Sequence, residues 1–568
     1  MLNTDHALTS GSPEFASPEI AALAKSQGCL AAWRTLISAG GKDSVKDVSG
    51  DFAVGFLDAA GHGFLAVDRF AIRSLCYRVV DGDLRFAARA DELADSTSEI
   101  DPQAIFDYLY FHVIPSPRTI FKDVFRLPPG HCAVFENGSM RLSPYWLPQF
   151  SELEKPCFES LRTEFRQLLR DAVGRQLDGG KAGCFLSGGT DSSTVAGMIG
   201  EVSGQPPATY SIGFEAEGYD EMEYARIAAR HFKTEHHEYY VTPDDLVRSI
   251  PSVAQYYDQP FGNSSALPAY YCAKMAKEDG VSKILAGDGG DELFGGNTRY
   301  AKQKVFGYYD SVPGLFRNAL LEPLLLKTPL GKLPLARKGA SYIEQAKVPL
   351  PDRGQIYNML HRLGINQVFD PNFLARVDID DPIRQQRGVW NLALTQSQTN
   401  RELAFDWRYT LAECDLPKVV GTTSLAGIEV GFPMLDNRLL NFSLQLPASY
   451  KVNGFKLRWF FKEALRGFLP DEILGKKKQG FGLPFGIWAA KSARLRSLAE
   501  DSVRGLVDRK ILRDDFVDAL FGRYLHDHPG YYGEMIWISM MLEQWLRQDV
   551  RARQDRAGAA DQPLPVPT

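Results

Sequence analysis

The chain has 568 residues, 44% hydrophobic and 24% charged, a globular composition that excludes a largely disordered or fibrous protein and leaves room for two or three domains. With 64 basic against 70 acidic residues the formal charge is −6, which argues against a nucleic-acid coat or a polybasic membrane anchor. No apolar stretch approaches the ~20 residues of a membrane helix; seven scattered cysteines without a C-x-x-C pair argue against a disulfide scaffold or zinc ribbon, so a cytoplasmic setting is expected.

Residues 1–15 are rich in Ser, Gly and Pro and read as a loose lead-in. Residues 20–37 read as a helix with Cys29 inside it. From 51 the text alternates in strand fashion, with strands expected at 51–58, 63–68, 84–88 and 131–135 and a turn near Gly61, which together predict a small β-rich, sandwich-like domain over 16–150. The aromatic run 106–111 reads as helix core. From 155 the spacing becomes helical: 158–177 carries Leu161, Phe165, Leu168, Leu169 and Val173 on one stripe. Strands at 183–186, 208–214, 237–241 and 282–286 then alternate with helices such as 221–232, which predicts a parallel, doubly wound sheet. Residues 300–550 look mostly helical, with an apolar, Pro-broken stretch at 320–335, and 551–568 read as a disordered tail.

Two glycine-rich segments carry chemistry. Ser187-Gly-Gly-Thr-Asp-Ser-Ser193 follows a strand and opens a helix. Its glycines allow close backbone approach, and its hydroxyls and N–H groups gather at a helix N-terminus, a combination that holds phosphate or pyrophosphate. Asp191 would repel bare phosphate unless a cation lay between them, which implies Mg²⁺. No G-x-x-x-x-G-K-[ST] occurs in the chain, so kinases and GTPases of that type are disfavoured and transfer at an α-phosphate is expected. The second segment, Leu285-Ala-Gly-Asp-Gly-Gly-Asp-Glu-Leu-Phe-Gly-Gly296, also follows a strand, and loops after parallel strands open into one crevice. Its carboxylates suit metal binding (Asp291) and acid/base work (Asp288). The spacing of a calcium loop fails there. His236 and His237, adjacent on a strand, point to opposite faces and are read as a strand-edge pair, not as metal ligands.

Together these segments resemble the asparagine synthetase family, whose synthetase half carries S-G-G-x-D-S and a later G-[ED]-G-x-D-E. Tyr210-Ser-Ile-Gly-Phe-Glu215, the run from Asp258 to Pro268, Glu429-Val-Gly-Phe-Pro-Met-Leu-Asp436 and Lys476-Lys-Lys-Gln-Gly-Phe-Gly482 extend the resemblance over residues 155–500. It implies a chain of class α/β and α+β. A shortened, degenerate glutaminase-like domain of the N-terminal-nucleophile-hydrolase type (16–150) would precede a PP-loop ATP pyrophosphatase domain (155–550) with a doubly wound parallel sheet and a helical C-terminal half. It implies a ligase in which a small-molecule or peptide carboxylate attacks the α-phosphorus of ATP, with Mg²⁺ on the pyrophosphate, and ammonia or an amine then displaces AMP. Neither nucleic acid nor membrane is an expected partner, and a homodimer is left open. By motif position Ser187, Gly188, Gly189, Asp191 and Ser192 would hold pyrophosphate and Asp191 and Asp291 would share the metal. Leu186, Ile212, Ala286 and Gly287 would border the nucleotide, Asp288 would accept the amine's proton, and Lys478 would stabilise charge during adenylation.

The sequence also departs from that pattern. Position 2 is Leu2, where the family's glutaminase carries a cysteine, and Phe86-Ala-Ala-Arg89 stands where F-A-S-E is usual, so glutamine hydrolysis is expected to be lost. Gly431 replaces the arginine of E-x-R; an arginine there could clamp a carboxylate, so its loss puts free aspartate in doubt as substrate. The alternative expectation is an intramolecular cyclase of the lasso-peptide or β-lactam type, which such a degenerate front domain favours; Asp288 in place of a tyrosine speaks against the β-lactam form.

Overall fold

The computed structural model describes residues 6–548 apart from 59, 96, 311–312, 314–315, 317–341 and 478–481. Lys478, the apolar stretch 320–335 and the tail 551–568 therefore lie outside the described residues or largely so.

Eight strands form the two main sheets of the front part, beside a small pairing of Glu14–Phe15 with Val48–Ser49: β1 (Ala7–Gly11), β2 (Phe52–Leu57), β3 (Gly63–Val67), β4 (Cys76–Val80), β5 (Asp83–Ala87), β6 (Phe125–Arg126), β7 (His131–Glu136) and β8 (Ser139–Pro144). Five form an antiparallel sheet in the order β1-β2-β3-β7-β8, and β5-β4-β6 form a second. Period-two alternation explains the layering. Phe52, Val54 and Phe56 of β2 meet Trp33 and Val45 on the helical side, whereas Ala53 packs with Leu65, Tyr77, Leu84 and Phe86 between the sheets. Gly55 lets the sheets approach, since a Cβ there would lie 2.7 Å from the Phe86 ring.

Two expectations are corrected here. Residues 7–11 are not a loose lead-in: β1 pairs with β2 from Ala7 opposite Phe56 to Gly11 opposite Phe52, so the backbone finds partners at a sheet edge that a Ser- and Gly-rich text does not announce. The single helix expected at 20–37 is two, α1 (Pro18–Gln27) and α2 (Cys29–Gly40). Gly28, at φ +91°, breaks them, and Cys29 opens the second helix instead of lying deep in one.

Helix α3 (Pro102–Phe111), begun by the Asp101 cap, does not belong to the sandwich core. Ile105, Phe106, Tyr108, Ile120 and Phe121 share a core with Ile250, Phe261, Phe369, Trp537 and Trp545 of the second half. Tyr108 donates to Ile538 O at 2.9 Å, and the Phe121 and Trp545 rings lie 5.9 Å apart. Residues 100–124 are thus a wedge driven from the front part into the rear core.

The rear half contains a five-stranded, all-parallel sheet: β9 (Gly183–Phe185), β10 (Ala208–Phe214), β11 (Glu235–Val241), β12 (Lys283–Leu285) and β13 (Glu429–Gly431), in spatial order β11-β10-β9-β12-β13. All seven residues of β10 are buried, as befits a strand covered on both faces. The fifth strand, β13, was not anticipated from the sequence; it falls inside the segment read as a family motif. Helix α4 (Phe158–Gln176) buries Leu161, Phe165, Leu169 and Val173 of its expected stripe together with Ala172, while Leu168 is only half-buried. Most of the described chain beyond 298 is helical. Because β9 lies mid-sheet with β10 and β12 on opposite sides, the chain reverses its winding between β9 and β12, and the crevice at their C-terminal ends is the place where such sheets bind ligands.

Candidate active site

Beyond β9 the chain turns through Ser187, Gly188 and Gly189 into helix α5 (Thr190–Ser203). Gly188 has φ +66°, and a Cβ on it would run into the backbone of Tyr224 and Ala225, so the turn demands glycine. No side chain caps α5. Its N-terminus faces the crevice, with the Ser187 and Ser192 hydroxyl oxygens 3.1 Å apart beside it.

The loop after β12 touches this turn directly. A Cβ on Gly287 would lie 2.8 Å from the Ser192 nitrogen and 2.9 Å from the Asp191 carbonyl carbon, and one on Gly290 would overlap the Asp191 carboxylate. The glycines therefore let two loops share one wall, bringing Asp191, Asp288 and Asp291 around a single cleft of about 940 Å³.

Arg458 ties the loops together from behind. It sits at φ +54° after a short hairpin (Val452–Asn453 with Lys456–Leu457). Its Nη1 donates to Asp191 Oδ2 at 2.6 Å, Asp291 Oδ1 at 2.8 Å and Thr190 Oγ1 at 2.7 Å, while Nη2 pairs with Asp191 Oδ1. The guanidinium carbon lies 3.9 Å above the Phe461 ring. The Asp191 and Asp291 carboxylates and the neighbouring hydroxyls are oxygen donors of the kind Mg²⁺ takes, and Gly290 and Gly296 let the carboxylates approach where a Cβ would collide with their oxygens. Arg458 spans both carboxylates here, so these donors would hold a magnesium ion once that guanidinium moves aside.

On the opposite wall, Lys418 Nζ lies 3.1 Å from Asp415 Oδ1 and 3.4 Å from Asp288 Oδ1. Burial raises the Asp288 carboxyl above the ordinary range, Lys418 opposes the rise, and Asp415 and Asp191 add to it. Burial depresses the Lys418 ammonium, but Asp415 and Asp288 more than reverse this and hold it charged. Glu292, also in the cleft wall, is pushed up to about 8 by burial, with Asp415 and Asp406 adding to it. A third cationic group enters from the far side: Lys476 Nζ pairs with Glu221 at 3.0 Å and donates to Ser187 O at 3.4 Å.

A family model described as asparagine synthase matches residues 164–547, and a glutamine amidotransferase domain model matches residues 32–146. The chain belongs to the asparagine synthase family. It is a carbon–nitrogen ligase of that type, forming amides with ATP as substrate. Asparagine synthetase [glutamine-hydrolyzing] 1 of Bacillus subtilis is 24% identical over 88% of this chain and 78% of its own length. Asparagine synthetase [glutamine-hydrolyzing] 3 of the same organism is 24% identical over 83% of this chain and 74% of its own. Amidase chyE of Penicillium rubens is 22% identical over 79% and 71%.

Within this asparagine synthase-type cleft, Leu186, Ser187, Gly189, Asp191, Ser192, Ile212, Gly287, Asp288 and Asp291 all line the wall. Two of the expected nucleotide neighbours do not reach its surface. Ala286 is fully buried with its N–H bonded to Gly431 O at 2.9 Å, and Gly188 turns away beneath Lys476. Lys478 lies outside the described residues, although Lys476 and Lys477 line the cleft. Gly431 corrects the reasoning attached to it: a Cβ there points at Gln176 and Leu285 in the flank of the sheet, so its lack of a side chain says nothing about a carboxylate clamp in the cleft. Sequence reasoning missed Arg458 because its partners are remote in the chain; a lone Leu-Arg after a hairpin carries no signal.

Elsewhere, Glu235, His237 and Asp279 bring ligand atoms within 4.8 Å of one another, Glu235 and His237 sharing a face of β11. Lys181 already spans both carboxylates, at 3.2 and 2.8 Å, so an ammonium occupies the place a metal would need. His236 turns to the other face, toward Thr209 and Glu238. Among the described residues, no helix is long and apolar enough to cross a membrane.

Proposed function

We propose that the cleft activates a carboxylate as an acyl-adenylate and passes the acyl group to ammonia or an amine. The observation that carries this reading is the direct contact of the two glycine loops at the winding reversal, which puts a phosphate-cradling helix N-terminus, Asp191, Asp291 and Asp288 around one cavity. In the first step a carboxylate oxygen of the acyl substrate bonds to the α-phosphorus and pyrophosphate leaves. The Ser187 and Ser192 hydroxyls, the first-turn N–H groups of α5 and the Lys476 ammonium are arranged to meet its growing charge. Asp191 and Asp291 would hold Mg²⁺, which when bound supplies charge neutralisation on the phosphates. Ile212 and the Tyr210–Ser211 stretch of β10 border the space for the nucleoside.

In the second step the amine nitrogen bonds to the acyl carbon, AMP departs and Asp288 takes the proton the nitrogen sheds. Its raised basicity suits that task, and Lys418 holds the carboxylate in place. By motif position Lys478 would join the cationic side of the cleft. Free ammonia or a substrate amine as the nitrogen source is supported by Phe86-Ala-Ala-Arg89, which stands where the family's F-A-S-E is usual.

The test is ATP–pyrophosphate exchange with aspartate, then product formation with ammonium or glutamine supplied separately. We expect exchange that falls by about 10²-fold or more in Asp191→Asn, since a preorganised charge on the phosphates is worth several kcal/mol. Product is expected with ammonium and not with glutamine. Absence of exchange with any carboxylate tried, alongside intact ATP binding, would overturn the adenylate reading.

A further inference from the structure

A front domain without glutamine chemistry would need another reason to be retained, and its contacts supply one. Asp258, at the head of the loop leading to the cleft residues Ser265 and Ala269, is gripped from the sandwich. Arg126 of β6 donates to both of its oxygens at 3.1 and 2.8 Å, and the Ala90 N–H donates at 2.9 Å. Arg89, held by Asp91, donates to Tyr256 O at 2.8 Å. Gln259 next to it accepts from Ile120 N and donates to Ile114 O, both at 3.3 Å, and Gly262 N–H donates to His112 O at 2.9 Å.

The second arm of the same wall is gripped as well. Ser116 donates through its N–H and its hydroxyl to Glu413 Oε1 at 3.1 and 2.7 Å, and Arg408 pairs with that carboxylate while donating to Ser116 Oγ at 3.0 Å. Glu413 belongs to a π-helical stretch (Trp407–Asp415) whose last residue, Asp415, shares Lys418 with Asp288. π-Helical stretches are rare and concentrate at functional sites. Asn263, from the first arm, donates to Cys414 Sγ at 3.2 Å, joining the two. The junction holds buried ion pairs: burial raises the Asp258 carboxyl, but Arg126 and Arg89 more than offset this and keep it ionised.

We propose that the front domain is a positioning element for the amine-side wall of the cleft, acting through Arg126 on Asp258 and through Ser116 on Glu413. Both arms lead to residues on the Asp288 side of the cleft, so loosening them should alter the acceptor side more than the nucleotide side. The inference rests on the ligase reading for its kinetic consequence alone; its structural consequence stands independently.

The experiment uses the full chain with Arg126→Gln, Arg126→Lys and the milder Ser116→Ala. Hydrogen exchange is followed over 257–272, 407–418 and 183–200, and the Michaelis constants for ammonium and ATP are measured in parallel. Backbone amides over 257–265 in Arg126→Gln, and over 407–418 in Ser116→Ala, should exchange about 10-fold faster with 183–200 unchanged. The constant for ammonium should rise about 5- to 20-fold with that for ATP within twofold, and Arg126→Lys should recover part of the loss. Unchanged exchange on both arms, or faster exchange spread equally to 183–200, would overturn the proposal. Should the parent enzyme make no amide from ammonium, the ligase reading fails while the exchange pattern still decides this one.

Discussion

At the scale of single residues the cleft depends on side chains that are missing. Gly287 stands 2.8 Å, at the position of an absent Cβ, from the Ser192 nitrogen, and the obstacle is backbone that cannot swing aside. Gly287→Ala must therefore push the two loops apart and move Asp288 relative to Asp191. A misplacement approaching 1 Å costs about 10²-fold in rate, so kcat/KM should fall by about that factor while the melting temperature moves by only a few degrees. Steady-state kinetics beside thermal unfolding checks this; a near-normal rate would mean that loop contact is not what organises the chemistry. These glycines and the carboxylates among them were legible in the sequence because turn, strand and helix are local. Arg458, which bonds Asp191 across 267 residues, was not, since no local pattern marks a partner that distant.

At the scale of elements, legibility followed the strength of the period. Helix α4 and strand β10 were visible as a stripe and an apolar run. β1 was hidden by its Ser and Gly content, β13 by its length of three residues, and the break at Gly28 by an apolar pattern that continues through it. Packing between elements also buries groups that a sequence leaves unremarked. Lys451, at the end of the short helix Ala448–Lys451, is fully buried, donates to Asn400 Oδ1 at 2.9 Å and lies 4.7 Å above the Phe150 ring. Burial depresses its ammonium to about 7, with Glu152 opposing. Between that value and the ordinary 10.5 the unfolded chain binds a proton the folded chain lacks, so this group makes stability rise with pH, by at most about 1.4 kcal/mol per unit. Lys451→Met removes the contribution. Denaturant unfolding at pH 7, 8, 9 and 10 should find the stability of the variant relative to the parent highest at pH 7 and falling steadily toward pH 10. A constant difference would place the lysine charged in the folded state.

At the scale of the molecule, strand order and wedge decide how the halves depend on each other. The β11-β10-β9-β12-β13 order gives the crevice its place; strand–helix alternation foretold a parallel, doubly wound sheet but neither the order nor β13. It placed a boundary near 150 because the text changes there from alternating to helical spacing, whereas the wedge at 100–124 reads as front-domain text yet fills the rear core. A chain of residues 155–548 would leave Phe261, Trp537 and Trp545 facing the space vacated by Ile105, Phe106, Tyr108, Leu109, Ile120 and Phe121. Burying one such side chain contributes about 1.5–3 kcal/mol, so six of them exceed much or all of the ~5–15 kcal/mol by which a folded domain is stable. The orphaned Gly262 N–H and Asp258 carboxylate add to the loss. The truncated chain should be insoluble or melt without a cooperative transition, whereas residues 100–548, which keep the wedge, should melt cooperatively at a lower temperature than the full chain. Circular dichroism and calorimetry on the two pieces separate the cases. A cooperative melt from residues 155–548 would restore the boundary that the change of spacing suggests and leave the wedge as a docked appendage, a result at odds with the Phe121 and Trp545 rings packed 5.9 Å apart in the rear core.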